Sequence, residues 1–169
     1  ATELTDAALA MENAALEVPG VSNSSGAGAS TGMVGVVLVT SHGFSGAYRR
    51  SSFGRSVSVI AGEGTGMERD YDFDSGVYYD ALESPEKIGR SAGERTVRRL
   101  NPRKAATGTG VPIVCDPRVA RGIASHIGGA INGAAVARKT SFFRDSMGQQ
   151  VLAPAITITD DPLIVRGSA

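Results

Sequence analysis

The run VPIVCDPRVARGIASHIGGAINGAAV, residues 111–136, constrains the fold more than any other part of the chain. Val111 to Cys115 is a short, β-branched apolar stretch of the kind that forms a strand. Asp116-Pro117 then opens a helix. An Asp at the N-cap accepts orphan backbone N–H groups, and Pro at the first helical position gives up no needed donor. Val119, Ile123, Ile127 and Ile131 recur at about one helical turn with Gly and Ala between them, which predicts a helix over 117–136. A helix so poor in bulky polar residues is expected to pack closely on more than one side. A strand leading directly into such a helix is where many folds place catalytic groups.

Upstream the pattern is mostly β. Residues 3–18 predict an amphipathic helix with Leu4, Ala8, Met11, Ala15 and Val18 on one face, stopped by Pro19-Gly20. The Gly/Ser-rich run 21–32 lacks the Gly-Lys-Ser/Thr ending of a phosphate loop and precedes a strand, so it reads as a turn joining strands. Strands are expected at 33–41, 52–62 and 67–74. The first is almost continuously apolar, as in a central or doubly covered strand. The second alternates Phe53, Arg55, Val57 and Val59 with Ser52, Gly54, Ser56 and Ser58, the period of a half-buried strand. The third sets Asp70, Asp72 and Asp74 against Tyr71 and Phe73. This acidic series fails as a calcium loop, because Ser75 and Ala81 stand where Gly and Glu belong, and its carboxylates read as a solvent-facing edge. Gly-rich turns between consecutive strands predict an antiparallel meander.

Ser84-Pro85 opens a helix over 84–100 with Ile88, Ala92, Val97 and Leu100 inward. Arg98, Arg99, Arg103 and Lys104 cluster at its C-terminal end, where cations suit the helix dipole. Residues 140–153 look irregular. A last strand is expected at 155–159, ended by Asp160-Asp161-Pro162. The fold class is therefore α+β, an antiparallel or mixed sheet with a β-meander and about three packed helices.

Lys and Arg balance Asp and Glu at 17 each, which argues against direct nucleic-acid binding or an anionic membrane surface. No apolar run reaches the length of a membrane span. The single Cys115 excludes an intrachain disulfide and, ending an apolar strand, is expected to be buried. Only His42 and His126 are available as imidazole ligands, far apart in sequence and without His-Glu-x-x-His spacing, and no serine lies in a Gly-x-Ser-x-Gly elbow. These residues do not compose a complete active site. The chain opens on Ala1 within a helical pattern and stops at IVRGSA, and is expected to be a piece of a longer polypeptide.

Three long strings carry a family resemblance: HGFSGAYRRSSFGRSVSVIAGEGTGMERDYDFDSG from His42, where the family pattern has Asn; ESPEKIGRSAGERTVRRLNPRKAATGTGVPIVCDPRVARGIASHIGGAINGAAVARKTSFF from Glu83; and GQQVLAPAITITDDP from Gly148. They resemble the TldD/PmbA family, also called modulator of DNA gyrase, and specifically its PmbA (TldE) branch. Family members are considerably longer. The resemblance makes residues 1–169 a central portion, with a leading helix (1–20), a β-meander (21–80) and a helix, strand-helix and final strand (81–169). The parent's N- and C-terminal parts would be missing.

The resemblance implies a cytoplasmic, zinc-dependent peptidase complex of two related subunits acting on small or unfolded peptides. In the TldD branch a His-Glu-x-x-x-His motif follows a strand and opens a helix. At the matching place this chain has Asp116, Pro117, Arg118, Val119, Ala120 and Arg121, so both histidines and the glutamate are absent. Arg does not ligate zinc at neutral pH and Pro cannot act as a base. The expectation is a zinc-free accessory subunit, with no cofactor of its own and zinc in a TldD-like catalytic partner. Its role would be to help hold an extended peptide substrate. The 116–121 turn and Lys139, Thr140, Ser141, Phe142 and Phe143 are the candidate cleft residues, and no catalytic residue is assigned. A homodimer is also possible. The alternatives are a metallopeptidase in its own right with ligands outside this stretch, and a non-enzymatic modulator of DNA gyrase.

Overall fold

In a computed structural model, residues 2–161, 163 and 164 are described; Pro162, expected to close the last strand, lies outside them. The described residues form two compact units, residues 2–104 with 163 and 164, and residues 105–161. The fold is α+β, with one three-stranded antiparallel sheet and four α-helices among the described residues.

The first unit is a sheet covered on one face by two helices. Its strands, β1 (Val21–Val39), β2 (Ser45–Ala61) and β3 (Glu68–Gly76), form a meander in the order β1-β2-β3. The alternation of β2 decides which face is covered. Val57, Val59 and Ala61 are buried beneath α1 (Thr2–Leu16) and α2 (Pro85–Arg98), and with Met11, Ala15, Ile88 and Ala92 they make the core. The leading helix buries Ala7, Met11, Ala14 and Ala15, close to the expected face. Ser84 caps α2 by accepting from Lys87 N at 3.3 Å, with Pro85 in its first turn.

Three expectations for this unit are corrected. The run 21–32 is not a turn: it is the first half of β1, paired with β2 through register shifts near Asn23 and Gly26. Gly26 takes φ +115°, which lets a Gly/Ser-rich stretch absorb the bulge. Nor is the apolar half of β1 central. β1 is an edge strand, β3 pairs with β2 only from Phe53 onward, and Met33 and Val37 are each 73% exposed.

The acidic series on β3 also faces the other way from its expected direction. Asp70 and Asp72 lie opposite Val59 and Val57, so they project to the helix-covered face. There the α2 cations meet them: Arg99 reaches Asp70 at 3.6 Å and Glu68 at 3.5 Å, and Arg95 reaches Asp72 at 3.7 Å. Pairing with guanidinium groups at the rim of the core is what allows carboxylates onto this face. Tyr71 and Phe73 take the open face instead, stacked with ring centroids 6.1 Å apart.

The second unit consists of α3 (Pro117–Ile131), α4 (Gly133–Ala137) and irregular chain. Neither 111–115 nor 155–159 is a strand, because among the described residues neither has a neighbouring strand to complete its backbone pairing. Ile113 and Val114 are 84% and 96% exposed, and Cys115 is exposed with them. The expected helix over 117–136 breaks at Asn132, whose extended backbone ends α3 and whose Oδ1 accepts from Ala134 N at 3.0 Å to start α4. The apolar stripe of α3 is right in period but not buried: Val119, Ile123 and Ile131 are exposed, and Ala130 is the buried residue of the helix.

Candidate functional site

The start of α3 is built by Asp116. Its Oδ1 accepts from Arg118 N at 2.9 Å, the N-cap bond, and lies 3.4 Å from Arg118 Nε. The carboxylate is thus committed to the helix end and to a cation. Pro117 follows with no donor, Val119 and Ala120 bring only apolar groups, and Arg121 is exposed on the first turn. The six residues bring one side-chain acceptor, the Asp116 carboxylate, which already meets Arg118, where a zinc site takes three or four ligands. Among the described residues no three His, Cys, Asp or Glu side chains come together as a possible metal cluster.

The second candidate group lies at the opposite end of α3. Lys139 has φ +61°, the left-handed residue that ends α4, and Thr140 N donates back to Ala135 O at 3.1 Å. Ser141 is buried, donating from Oγ to Ala130 O at 2.6 Å and accepting from Phe143 N at 2.9 Å. It fastens the chain to the last turn of α3. Phe142 is exposed, with its ring centroid 4.4 Å from that of Phe143. Asp116 and Ser141 therefore mark opposite ends of a helix about 20 Å long, at ~1.5 Å per residue. The two candidate groups do not converge.

The second unit carries two open grooves near the C-terminal end of α3, and Phe143, one of the expected cleft residues, lines the second of them. One, of about 420 Å³, is lined by Ile127, Ile131, Val151, Leu152, Ile156 and Ile158 among others. The other, about 270 Å³, lies around Ala130, Val136, Phe143 and Met147. The 3.6-residue apolar stripe of α3 is the signal for these grooves, and in sequence alone it is the same as that of a helix packed in a core.

A polar cluster in the first unit was missed by the sequence reading. Arg55 sits in the apolar register of β2, only 8% exposed. Its Nη1 donates to Glu83 O at 2.7 Å, and its guanidinium lies 4.7 Å from the centroid of the Tyr79 ring, which packs edge-on against Phe53. Glu83 N donates to Asp74 Oδ2 at 2.8 Å, so both backbone groups of Glu83 are held. The signal was a lone cation among Phe53, Val57 and Val59. These bonds fix the approach to α2 and offer no reacting group.

Comparison with known proteins places these features. The PmbA/TldA metallopeptidase central domain matches residues 1–100, and the C-terminal domain of the same family matches residues 107–169. The chain belongs to the PmbA/TldD family. The Haemophilus influenzae metalloprotease PmbA homolog is 37% identical over 163 residues, covering 96% of this chain and 36% of the relative. Metalloprotease PmbA of Escherichia coli O157:H7 is 36% identical over 168 residues, covering 99% and 37%. This PmbA/TldD chain thus spans a little over a third of the length of those relatives. In fold it is similar to two crystal structures of candidate modulators of DNA gyrase. The one from Bacteroides thetaiotaomicron has a TM-score of 0.84 at 24% identity, covering 98% of this chain and 38% of that one. The one from Thermotoga maritima has 0.71 at 14% identity, covering 88% and 34%.

Proposed function

We propose that this chain belongs to a zinc-free accessory subunit of a cytoplasmic, two-subunit metallopeptidase that acts on small or unfolded peptides. The observation that carries the reading is the Asp116–Arg121 turn. At the position that the resemblance sets against the zinc motif of the catalytic branch, the one carboxylate meets the N-cap amide and an arginine. Such a turn can hold a peptide but cannot activate water through a metal. The exposed Arg121 offers a cation to a peptide carboxylate, and the apolar grooves along α3 offer side-chain subsites. Zinc and the general base would come from a TldD-like partner.

The first test is zinc per chain and peptide hydrolysis for the full-length parent, alone and with its TldD-like partner. The expected outcome is near-zero zinc and no hydrolysis alone, with both appearing in the complex. About one zinc per chain and hydrolysis without the partner would overturn the reading. That result would favour a metallopeptidase in its own right, the reading that the metalloprotease names of the curated relatives support. Direct action on DNA has less support, since the charges of the chain balance.

A further inference from the structure

The chain has four asparagines, and only Asn132 is followed by glycine. An asparagine modifies itself when the next backbone nitrogen attacks its side-chain carbonyl carbon, and glycine, with no Cβ, leaves that nitrogen least hindered. The other three are poorly placed for this reaction. Asn101 precedes Pro102, which has no N–H to ionise. Asn13 lies within α1, where the following N–H is held in the helix ladder. Asn23 lies in β1, paired with Ile60 of β2. Asn132 instead stands at the break between α3 and α4, exposed, with φ −61° and ψ 126°. The Gly133 N–H is the first of α4, one of the donors that a helix leaves without an internal acceptor. Ala134 N, the next donor, is engaged with Asn132 Oδ1 at 3.0 Å.

We propose that Asn132-Gly133 is a self-modification site gated by the junction of α3 and α4. While the junction is closed, the carboxamide is tied to Ala134 N. When it opens, the Gly133 amide nitrogen gives up its proton to solvent base and attacks Asn132 Cγ. The new N–Cγ bond forms as the Cγ–Nδ2 bond breaks, ammonia leaves, and a five-membered succinimide remains. Water then opens the ring at one of its two carbonyls. Opening at the main-chain nitrogen's bond to Cγ restores the chain with aspartate at 132. Opening at its bond to the main-chain carbonyl gives isoaspartate, in which the chain runs through the former side chain. Aspartate still caps α4, because Asp ranks with Asn at that position. Isoaspartate lengthens the main chain by one methylene and displaces the acceptor, so α4, five residues long, loses its start. Ile131, the preceding residue, lines both grooves, and either product sets a carboxylate beside them. The proposal does not depend on the accessory-subunit reading, which concerns the zinc-motif position.

Peptide mass spectrometry of the full-length parent, held warm in mildly alkaline buffer, is the test, with fragmentation that separates aspartate from isoaspartate. Conversion at Asn132 ahead of the other three asparagines is expected in the native protein. In urea it should run about fivefold faster or more, the factor by which one capping bond shifts an open–closed balance. Gly133→Ala should slow conversion severalfold even in urea, because its Cβ crowds the attacking nitrogen while meeting nothing else within 4 Å. Asn132→Ser keeps a capping oxygen and has no carboxamide, so conversion at 132 should cease with the circular dichroism unchanged. Limited proteolysis at 131–139 should quicken in the isoaspartate fraction and stay at the wild-type rate in Asn132→Asp. Four results would overturn the proposal: equal rates in native and unfolded protein; another of the four asparagines converting first in the native state; Gly133→Ala converting as fast as wild type; or a native protein that stays unconverted at Asn132 while the unfolded one converts fully.

Discussion

Gly89 and Gly93 set how closely α1 and α2 approach. A Cβ at Gly89 would run into the carbonyl oxygen of Met11 and touch Ala14 Cβ at 3.0 Å, and one at Gly93 would meet Val18 Cγ2 at 2.7 Å and Ala15 O at 2.9 Å. Backbone atoms of a neighbouring helix cannot rotate away, so even a methyl group forces the helices apart. Gly89→Ala gains about 1 kcal/mol of intrinsic helix propensity. Overpacking costs about 1–3 kcal/mol and strains the core at Met11 and Ile88, so the clash should win. A lower urea midpoint for Gly89→Ala, beside an unchanged or higher one for Gly122→Ala, is the expected result, since a Cβ at Gly122 meets nothing within 4 Å. Equal midpoints in both variants would mean that the helices are not in the close contact described. The spacing of two glycines four apart was visible in the sequence, but it identifies no partner until α1 lies against it.

At the scale of elements, the approach to α2 is tied to the sheet at both ends. Ser51 Oγ donates to Val77 O at 2.7 Å, and Arg55 with Asp74 holds Glu83, one residue before the N-cap Ser84. Arg55→Met keeps the apolar stem and removes the donor to Glu83 O and the cation over Tyr79. A charge-assisted bond of this kind is worth about 1.5–3 kcal/mol, and a loss of that size in chemical denaturation, with faster proteolysis within 77–84, is expected. Unchanged cleavage would show that the connection is held by Asp74 and Ser51 alone. Much of this layer was legible beforehand: β2 and β3 from their alternation, α2 from Ser84-Pro85, α1 from its apolar face. The first half of β1 was not, because Gly and Ser carry almost no β signal and its strand character comes from pairing with β2. Val111–Cys115 and Ala155–Thr159 fail for the converse reason. Their β-branched composition suits a strand, but that preference is realised only beside a neighbouring strand. That Asp116-Pro117-Arg118 offers no imidazole was legible in the sequence, whereas the separation of Asp116 from Ser141 needed the length of α3.

Across the whole molecule, burial is concentrated in one unit. The buried apolar residues of the first unit come from α1, α2 and β2, while the second unit contributes Ala130 among the described residues. Local stability follows buried apolar area and protected backbone bonds, so the units should differ in how readily they open. In native-state hydrogen exchange of the 169-residue chain, amides at Val57–Ala61 and in the middle of α1 and α2 should exchange only through global unfolding. Those of α3 and of 140–158 should exchange at much lower opening free energy, with every 1.4 kcal/mol of difference appearing as about a tenfold change in rate. Denaturant should accelerate the first group steeply and the second hardly at all, because local opening exposes little new surface. The contrast bears on function. Asp116–Arg121 and both grooves lie in the less buried unit, where a bound peptide or a partner chain can order the structure at small cost to the rest. Protection in α3 equal to that of β2 would remove this link, and would require its exposed stripe of Val119, Ile123 and Ile131 to be held by contacts other than burial.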